Sequence, residues 1–291
     1  MASRRFVLAL ACLSLVSCAG SGTVESTVTT EPITTTTVLT PATSTTNPAI
    51  TTTAAPAPTT TTAGAPLVGR TVVLDPGHNG MNWAHPEEIG REVDIGTGTK
   101  ACNTTGASTN DGYAEATFTW EVGQRTVPLL EALGAKVVLT RSDNDGWGPC
   151  ITERAAIGNE AGADAVISIH ADGGPEQGRG FHVIFPAVVP GLTDDIATES
   201  QRLAESLHAA YRVTEMPIAD YIGVEGFSER DDLGGLTLSD VPVVFLEAGN
   251  MRNKTDADLL RDPGFQDSIA LAIADAVVEF LTSGLRADTT G

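Results

Sequence analysis

Short apolar runs alternate with helix-spaced apolar residues along the chain after about position 67. The apolar runs predict buried strands over residues 70–74, 136–140, 165–169, 181–185 and 241–246. Apolar residues three and four positions apart predict helices over residues 116–133, 194–211 and 265–281, and a shorter helix with Thr152 as its N-cap. Strands that alternate with helices are typical of an α/β layer fold. The pattern therefore predicts a single α/β domain with a mostly parallel, twisted sheet and helices on both faces.

The first 66 residues do not fit this pattern. Arg4 and Arg5 precede an apolar run from Phe6 to Val16, which is shorter than the roughly 20 residues that cross a bilayer and is typical of an export signal. The run ends in LVSC, which resembles the bacterial lipobox and predicts lipidation at Cys18; an ordinary signal peptide is the alternative. We therefore divide the chain into a signal (1–18), a Thr/Pro/Ser-rich disordered tether (19–66), the folded domain (67–284) and a tail (285–291).

Charge and cysteine content narrow the possible partners and compartment. A net charge of −20 argues against nucleic acid as a partner, because phosphate binding needs clustered Lys and Arg. Of the four cysteines, Cys12 lies in the signal and Cys18 is the predicted lipid site, which leaves Cys102 and Cys150. In an oxidising compartment such a pair is expected to form a disulfide, with two buried free thiols as the alternative.

Four polar residues stand where they could meet at one metal ion. His78 follows one predicted strand, and His170 and Glu247 come directly after two others, so all three are expected at the carboxyl-end rim of the sheet. Glu115 begins a predicted helix and can turn into the same rim. Two His and one Glu form a ligand set that leaves one zinc position open, as catalytic zinc sites do. Glu247 then remains as the catalytic base, since a carboxylate after a strongly apolar run needs a partner, a metal or a raised pKa.

These residues carry a resemblance to the type-3 family of zinc-dependent N-acetylmuramoyl-L-alanine amidases, and to its actinobacterial members. The matching segments read VVLDPGHNG at 72–80, GYAE at 112–115, LTR at 139–141, SIHA at 168–171 and VPVVFLEAGNMRN at 241–253. The resemblance implies Zn²⁺ held by His78, Glu115 and His170, with Glu247 moving the proton while the amide between N-acetylmuramic acid and L-alanine is cleaved. Asn79 and Asn250 depart from the family pattern, and we expect them to alter substrate fit.

Further expectations concern the surroundings of the site and the setting of the protein. Asp75 and Asp172 are candidates to accept the second N–H of the ligand histidines, as carboxylates near metal sites often do. His208 is expected at the surface of its helix, and residues 82–110 have no predicted structure. We expect a monomer that acts on peptidoglycan or muramyl peptides, lipid-anchored to the outer face of a bacterial membrane, in the cell-wall or periplasmic space. The alternatives are a zinc peptidase or deacetylase, an inactive or activator-dependent wall-binding lipoprotein, and a structural lipoprotein.

Overall fold

A six-stranded mixed sheet forms the centre of the computed structural model, which describes residues 64–287. The strands in chain order are β1 (Thr71–Pro76), β2 (Glu92–Asp94), β3 (Thr99–Ala101), β4 (Lys136–Leu139), β5 (Ala165–Asp172), β6 (His182–Pro186), β7 (Phe227–Arg230) and β8 (Val243–Asn250). The order across the large sheet is β4-β1-β5-β8-β6-β7, and β2 and β3 form a separate antiparallel pair. Of the neighbouring strands in the large sheet, only β6 and β8 run antiparallel. The predicted α/β class with a mostly parallel sheet is confirmed.

Helices cover both faces of this sheet. They are α1 (Pro86–Ile89), α2 (Glu115–Ala132), α3 (Ile151–Glu160), α4 (Ala197–Tyr211), α5 (Gly234–Thr237), α6 (Lys254–Arg261) and α7 (Pro263–Ala287), with a 3-10 turn at Asn82–Ala84. The larger apolar core joins α2, α4 and α7 to one face of the sheet, while a smaller cluster with Leu236 of α5 covers the other face. Across residues 64–287, no helix combines the length and the apolar content that crossing a bilayer requires.

The period-two alternation of strand residues decides which face the polar side chains occupy. In β8, Val244 and Leu246 belong to the larger core, whereas Val243 belongs to the smaller cluster. Because neighbouring residues of a strand point to opposite faces, Glu247 lies on the face of the smaller cluster. In β5, His170 is aligned with Glu247 and shares that face. The strands thus bring both residues together on the face of the sheet that the smaller apolar cluster covers.

Several sequence expectations need correction. Both β5 and β8 continue beyond His170 and Glu247, so these two residues lie within strands rather than after them. The N-cap of α3 is Cys150 rather than Thr152. His208 is buried and stacks on Phe227 with ring centroids 4.3 Å apart. The predicted signal, Cys18 and nearly all of the tether lie outside the described residues.

Residues 82–110, which we call the insertion, form a small substructure beside the ends of β1 and β5. It contains the 3-10 turn, α1 and the β2–β3 hairpin. A disulfide joins Cys102 of this segment to Cys150, which directly precedes α3. The backbone adds to this connection, because the Ile151 N–H donates to the Cys102 carbonyl over 2.7 Å. The insertion is therefore tied to the main domain close to the predicted ligands.

Candidate metal centre

Three side chains converge where β1, β5 and the start of α2 meet. His78, Glu115 and His170 each offer one donor atom, and these atoms lie within 4.8 Å of one another. Glu115 Oε1 is 3.2 Å from His78 Nε2 and 2.9 Å from His170 Nδ1. A zinc ion about 2 Å from each donor requires donors roughly 3–4 Å apart, so two nitrogens and one oxygen at these separations fit zinc closely.

The carboxylate of Glu115 is held by the backbone on both of its oxygens. Oε2 accepts the Ala107 N–H over 2.6 Å, and Oε1 accepts the Ala171 N–H over 3.1 Å. Burial raises the pKa of Glu115, but attraction and hydrogen bonds from His78 and His170 outweigh it and hold the pKa well below its usual range. Glu115 is therefore ionised and oriented as a metal ligand requires.

Both imidazoles are held in place by backbone that approaches them closely. His78 adopts a positive φ of 58°, which is uncommon for a residue with a side chain and recurs at functional sites. Its Nδ1 lies 3.0 Å from the Thr104 carbonyl, so Nδ1 serves as the donor and Nε2 faces Glu115. The His170 ring stacks on Phe245 at 5.2 Å, and Gly77 lies against the same ring with no room for a Cβ atom. The insertion that carries Thr104 thus orients one proposed ligand.

Glu247 lies beside this donor set, aligned with His170 across the neighbouring strands β5 and β8. Its Oε2 atom is buried and makes no hydrogen bond within the described part of the chain. Burial, together with the negative charges of Glu115 and Asp172, raises the pKa of Glu247 well above its usual range, and Arg230 only partly offsets this. A carboxylate with a raised pKa is a stronger proton acceptor near neutral pH.

The hydrogen bonds of Asp75 lead to Arg154 rather than to a ligand histidine. Asp75 accepts from Arg154 and Thr140 over 2.5 Å each and from Ser168 over 2.6 Å. Burial alone would raise the pKa of Asp75, but Arg154 and the two hydroxyls lower it to about 2. Arg154 also donates to the His78 carbonyl over 2.6 Å, so Asp75 supports the His78 backbone through Arg154.

The remaining sequence expectations have mixed outcomes. Asp172 lines the cleft that contains Glu247 and affects its charge, but within residues 64–287 its carboxylate forms no hydrogen bond with either histidine. Asn250, which was expected to alter substrate fit, is fully buried, and its amide donates to the Pro175 and Gly178 carbonyls. Asn79 is also buried and donates to the Gly148 carbonyl. Both asparagines hold loop backbone.

Two connected hollows surround the donor set. The first, of about 380 Å³, is bordered by His78 and His170, and its apolar lining includes Ile151, Leu233 and Phe245. The second, of about 330 Å³, contains Glu115 and Glu247 and includes Arg230 in its wall. Sequence reasoning missed Thr104 and Arg230, since their roles depend on contacts between distant segments and they follow no pattern of spacing.

Comparisons with known proteins show the family and the fold of this chain. The Amidase_3 family model, described as N-acetylmuramoyl-L-alanine amidase, matches residues 72–279. An N-acetylmuramoyl-L-alanine amidase of Mycobacterium tuberculosis is 42% identical over 220 residues, which are 75% of this chain and 89% of that protein. The crystal structure of the amidase Ami1 of Mycobacterium smegmatis is similar with a TM-score of 0.71 at 40% identity, over 75% of this chain and 99% of that one. The apo form of Ami1 from Mycobacterium abscessus has a TM-score of 0.69 at 40% identity, over 74% of this chain and 100% of that one.

Proposed function

The chain belongs to the N-acetylmuramoyl-L-alanine amidase family, and from this premise we propose that its His₂Glu centre uses zinc to hydrolyse peptidoglycan. The bond cleaved is the amide that joins N-acetylmuramic acid to the L-alanine of the stem peptide. The observation that carries the proposal is the convergence of His78, Glu115 and His170 next to Glu247, whose buried Oε2 makes no hydrogen bond within residues 64–287. A ligand set with an adjacent base suits metal-assisted hydrolysis of an unactivated amide.

We propose His78, Glu115 and His170 as the residues that hold the ion. When bound, zinc supplies a Lewis acid that polarises a carbonyl and lowers the pKa of water to about 7. Glu115 contributes negative charge, and its two backbone hydrogen bonds keep it from rotating. The Thr104 carbonyl keeps the Nε2 atom of His78 free of a proton and turned towards the site.

Glu247 is the residue that moves protons in this proposal. Its carboxylate accepts a proton from the attacking water while the oxygen of that water bonds to the amide carbon. As the carbon–nitrogen bond breaks, Glu247 returns the proton to the leaving amine, which departs as the N-terminus of the stem peptide. The raised pKa of Glu247 suits both steps, because the group must bind a proton and then release it near neutral pH.

The proposed location rests on the first 66 residues and on the family. Members of this family act on the cell wall, so this chain acts outside the cytoplasm. We further propose that Cys18 carries a lipid and that residues 19–66 form a tether between the membrane and the domain. Replacement of Cys18 by alanine is expected to release the protein from the membrane fraction. Retention of the Cys18→Ala protein on membranes would argue for another mode of attachment.

Mass spectrometry of the products of a muramyl peptide tests the proposed reaction. The purified protein is expected to release a peptide beginning at L-alanine; a chelator should abolish this release, and zinc should restore it. Cleavage within the peptide would instead indicate a zinc peptidase. Bound zinc without any cleavage would indicate an inactive or activator-dependent protein.

A further inference from the structure

A network of three charged side chains lies on the rim between the two hollows. Asp232, which follows β7, accepts from Arg230 over 2.6 and 2.8 Å. The same carboxylate accepts from Lys100 of β3 over 3.0 Å. The Lys100 and Arg230 side chains stay 42% and 35% exposed, so solvent or a ligand can reach both. We call Lys100, Asp232 and Arg230 the rim network.

The rim network borders both parts of the cleft. Arg230 lines the hollow that contains Glu115 and Glu247. Lys100 and Asp232 line the neighbouring hollow, which His78 and His170 also border. A molecule that contacts the metal centre therefore lies within reach of the network from either hollow.

Two cations share one anion in this network, so the three side chains together carry one positive charge. This contrasts with the whole chain, whose net charge is −20. The charges of Asp231 and Glu247 also act on Arg230. The adjacent Asp231 is exposed and lines neither hollow. An Arg guanidinium has five N–H groups and a Lys ammonium has three, so the bonds to Asp232 leave donors on both side chains. We propose that the rim network binds the α-carboxylate of an acidic residue that follows L-alanine in the substrate, an inference that rests on the proposed function.

The position of Glu247 indicates which part of the substrate faces Arg230. In the proposed reaction Glu247 returns a proton to the leaving amine, so the leaving peptide begins beside Glu247. Arg230 lines that same hollow and is close enough to Glu247 to affect its charge. One residue of extended peptide spans about 3.5 Å, so an acidic residue directly after L-alanine carries its carboxylate away from the scissile bond towards the rim. A carboxylate there would accept charge-assisted hydrogen bonds from Arg230 and Lys100.

A pair of substrates that differ by one charge tests this inference. The pair is N-acetylmuramoyl-L-alanyl-D-glutamate and N-acetylmuramoyl-L-alanyl-D-isoglutamine, in which an amide replaces the α-carboxylate. Wild-type protein should show kcat/KM about tenfold higher for the acid, as expected of charge-assisted hydrogen bonds at a partly exposed site. Arg230→Gln and Lys100→Gln should each lower this ratio to below about threefold. Lys254→Gln is the matched control, because Lys254 is an exposed lysine paired with Asp258 and lines neither hollow, and it should retain the wild-type ratio.

The ratio of kcat/KM for the acid to kcat/KM for the amide distinguishes recognition of a carboxylate from a purely structural role of the ion pairs. If the network only fastens the β2–β3 hairpin, both substrates lose kcat/KM equally and the ratio stays at the wild-type value, which overturns the inference. Equal kcat/KM for the two substrates in the wild type also overturns it. If neither substrate is hydrolysed, the proposed function fails, and calorimetry with L-alanyl-D-glutamate and L-alanyl-D-isoglutamine decides the inference alone. Tighter binding of the acid that Arg230→Gln abolishes would support the network as a carboxylate site, and equal binding would refute it.

Discussion

Replacement of Gly77 by alanine should damage the metal centre without unfolding the domain. Gly77 directly follows β1, and an added Cβ would lie 2.3 Å from Cε1 and 2.6 Å from both nitrogens of the His170 ring. Non-bonded carbon atoms favour separations of about 3.5–4.0 Å, so the ring must move by more than about 1 Å. Metal–ligand distances in a functioning site vary by only about 0.2 Å. The shift therefore removes most of the contribution of His170 to metal binding.

We expect Gly77→Ala to lower zinc affinity by about 10- to 100-fold, which corresponds to about 1.4–2.7 kcal/mol. The assay is competition for zinc between metal-free protein and a chromogenic chelator, with circular dichroism and thermal unfolding as measures of folding. Gly158→Ala is the matched control, because its Cβ would meet Val166 at 3.2 Å, within helix α3 and away from the donors. A folded Gly77→Ala protein whose zinc affinity stays within about twofold of the wild type would refute this account of the site.

Three further predictions concern the base, the buried ion pair and the disulfide. Glu247→Gln should keep its zinc but lose about 10²- to 10⁴-fold in turnover, and a zinc-loaded variant with normal turnover would exclude Glu247 as the base. Asp75→Asn should lower the free energy of unfolding by about 2 kcal/mol at neutral pH, because the pKa of Asp75 falls from 3.8 to about 2 on folding. Since a lowered carboxylate pKa stabilises above the unfolded value, urea unfolding of the two proteins should differ fully above about pH 4 and converge as the pH falls through about 2. Replacing Cys102 and Cys150 by serine opens a loop with a sequence separation of 48 and should lower the unfolding free energy by up to about 4 kcal/mol; urea curves that match those of the oxidised wild type would contradict this.

The sequence predicted five of the eight strands in the described residues, and it predicted β5 and β8 too short. His170 and Glu247 interrupt apolar runs, so the runs seemed to end before them. In the fold, the next residues Ala171 and Ala248 are again buried in the larger core, and β5 and β8 therefore continue. A polar side chain within a strand affects only one face of the sheet, and a linear hydropathy pattern cannot distinguish this from a strand end.

The proposed ligands were predictable because each follows or interrupts an apolar strand or begins a helix. Asp75 was expected to support a ligand, but the contacts through which the supports act were not predictable, because they join distant segments. The ion pair of Asp75 and Arg154 spans 79 positions, and the contact of Thr104 with His78 spans 26. His208 was misplaced for a related reason, since its burial depends on stacking against Phe227 from another strand. Such contacts depend on tertiary packing and leave no periodic signal.

The way Glu115 is held also has a consequence for the choice among metal ions. Oε1 lies 3.2 and 2.9 Å from the two histidine nitrogens, whereas Oε2 accepts the short hydrogen bond from the Ala107 N–H, so Oε1 is the oxygen placed to bind an ion. Calcium takes six to eight oxygen ligands and commonly binds carboxylates through both oxygens, so two imidazoles and one fixed oxygen serve it poorly. By holding Oε2, the Ala107 amide would thus help the site to favour zinc over calcium.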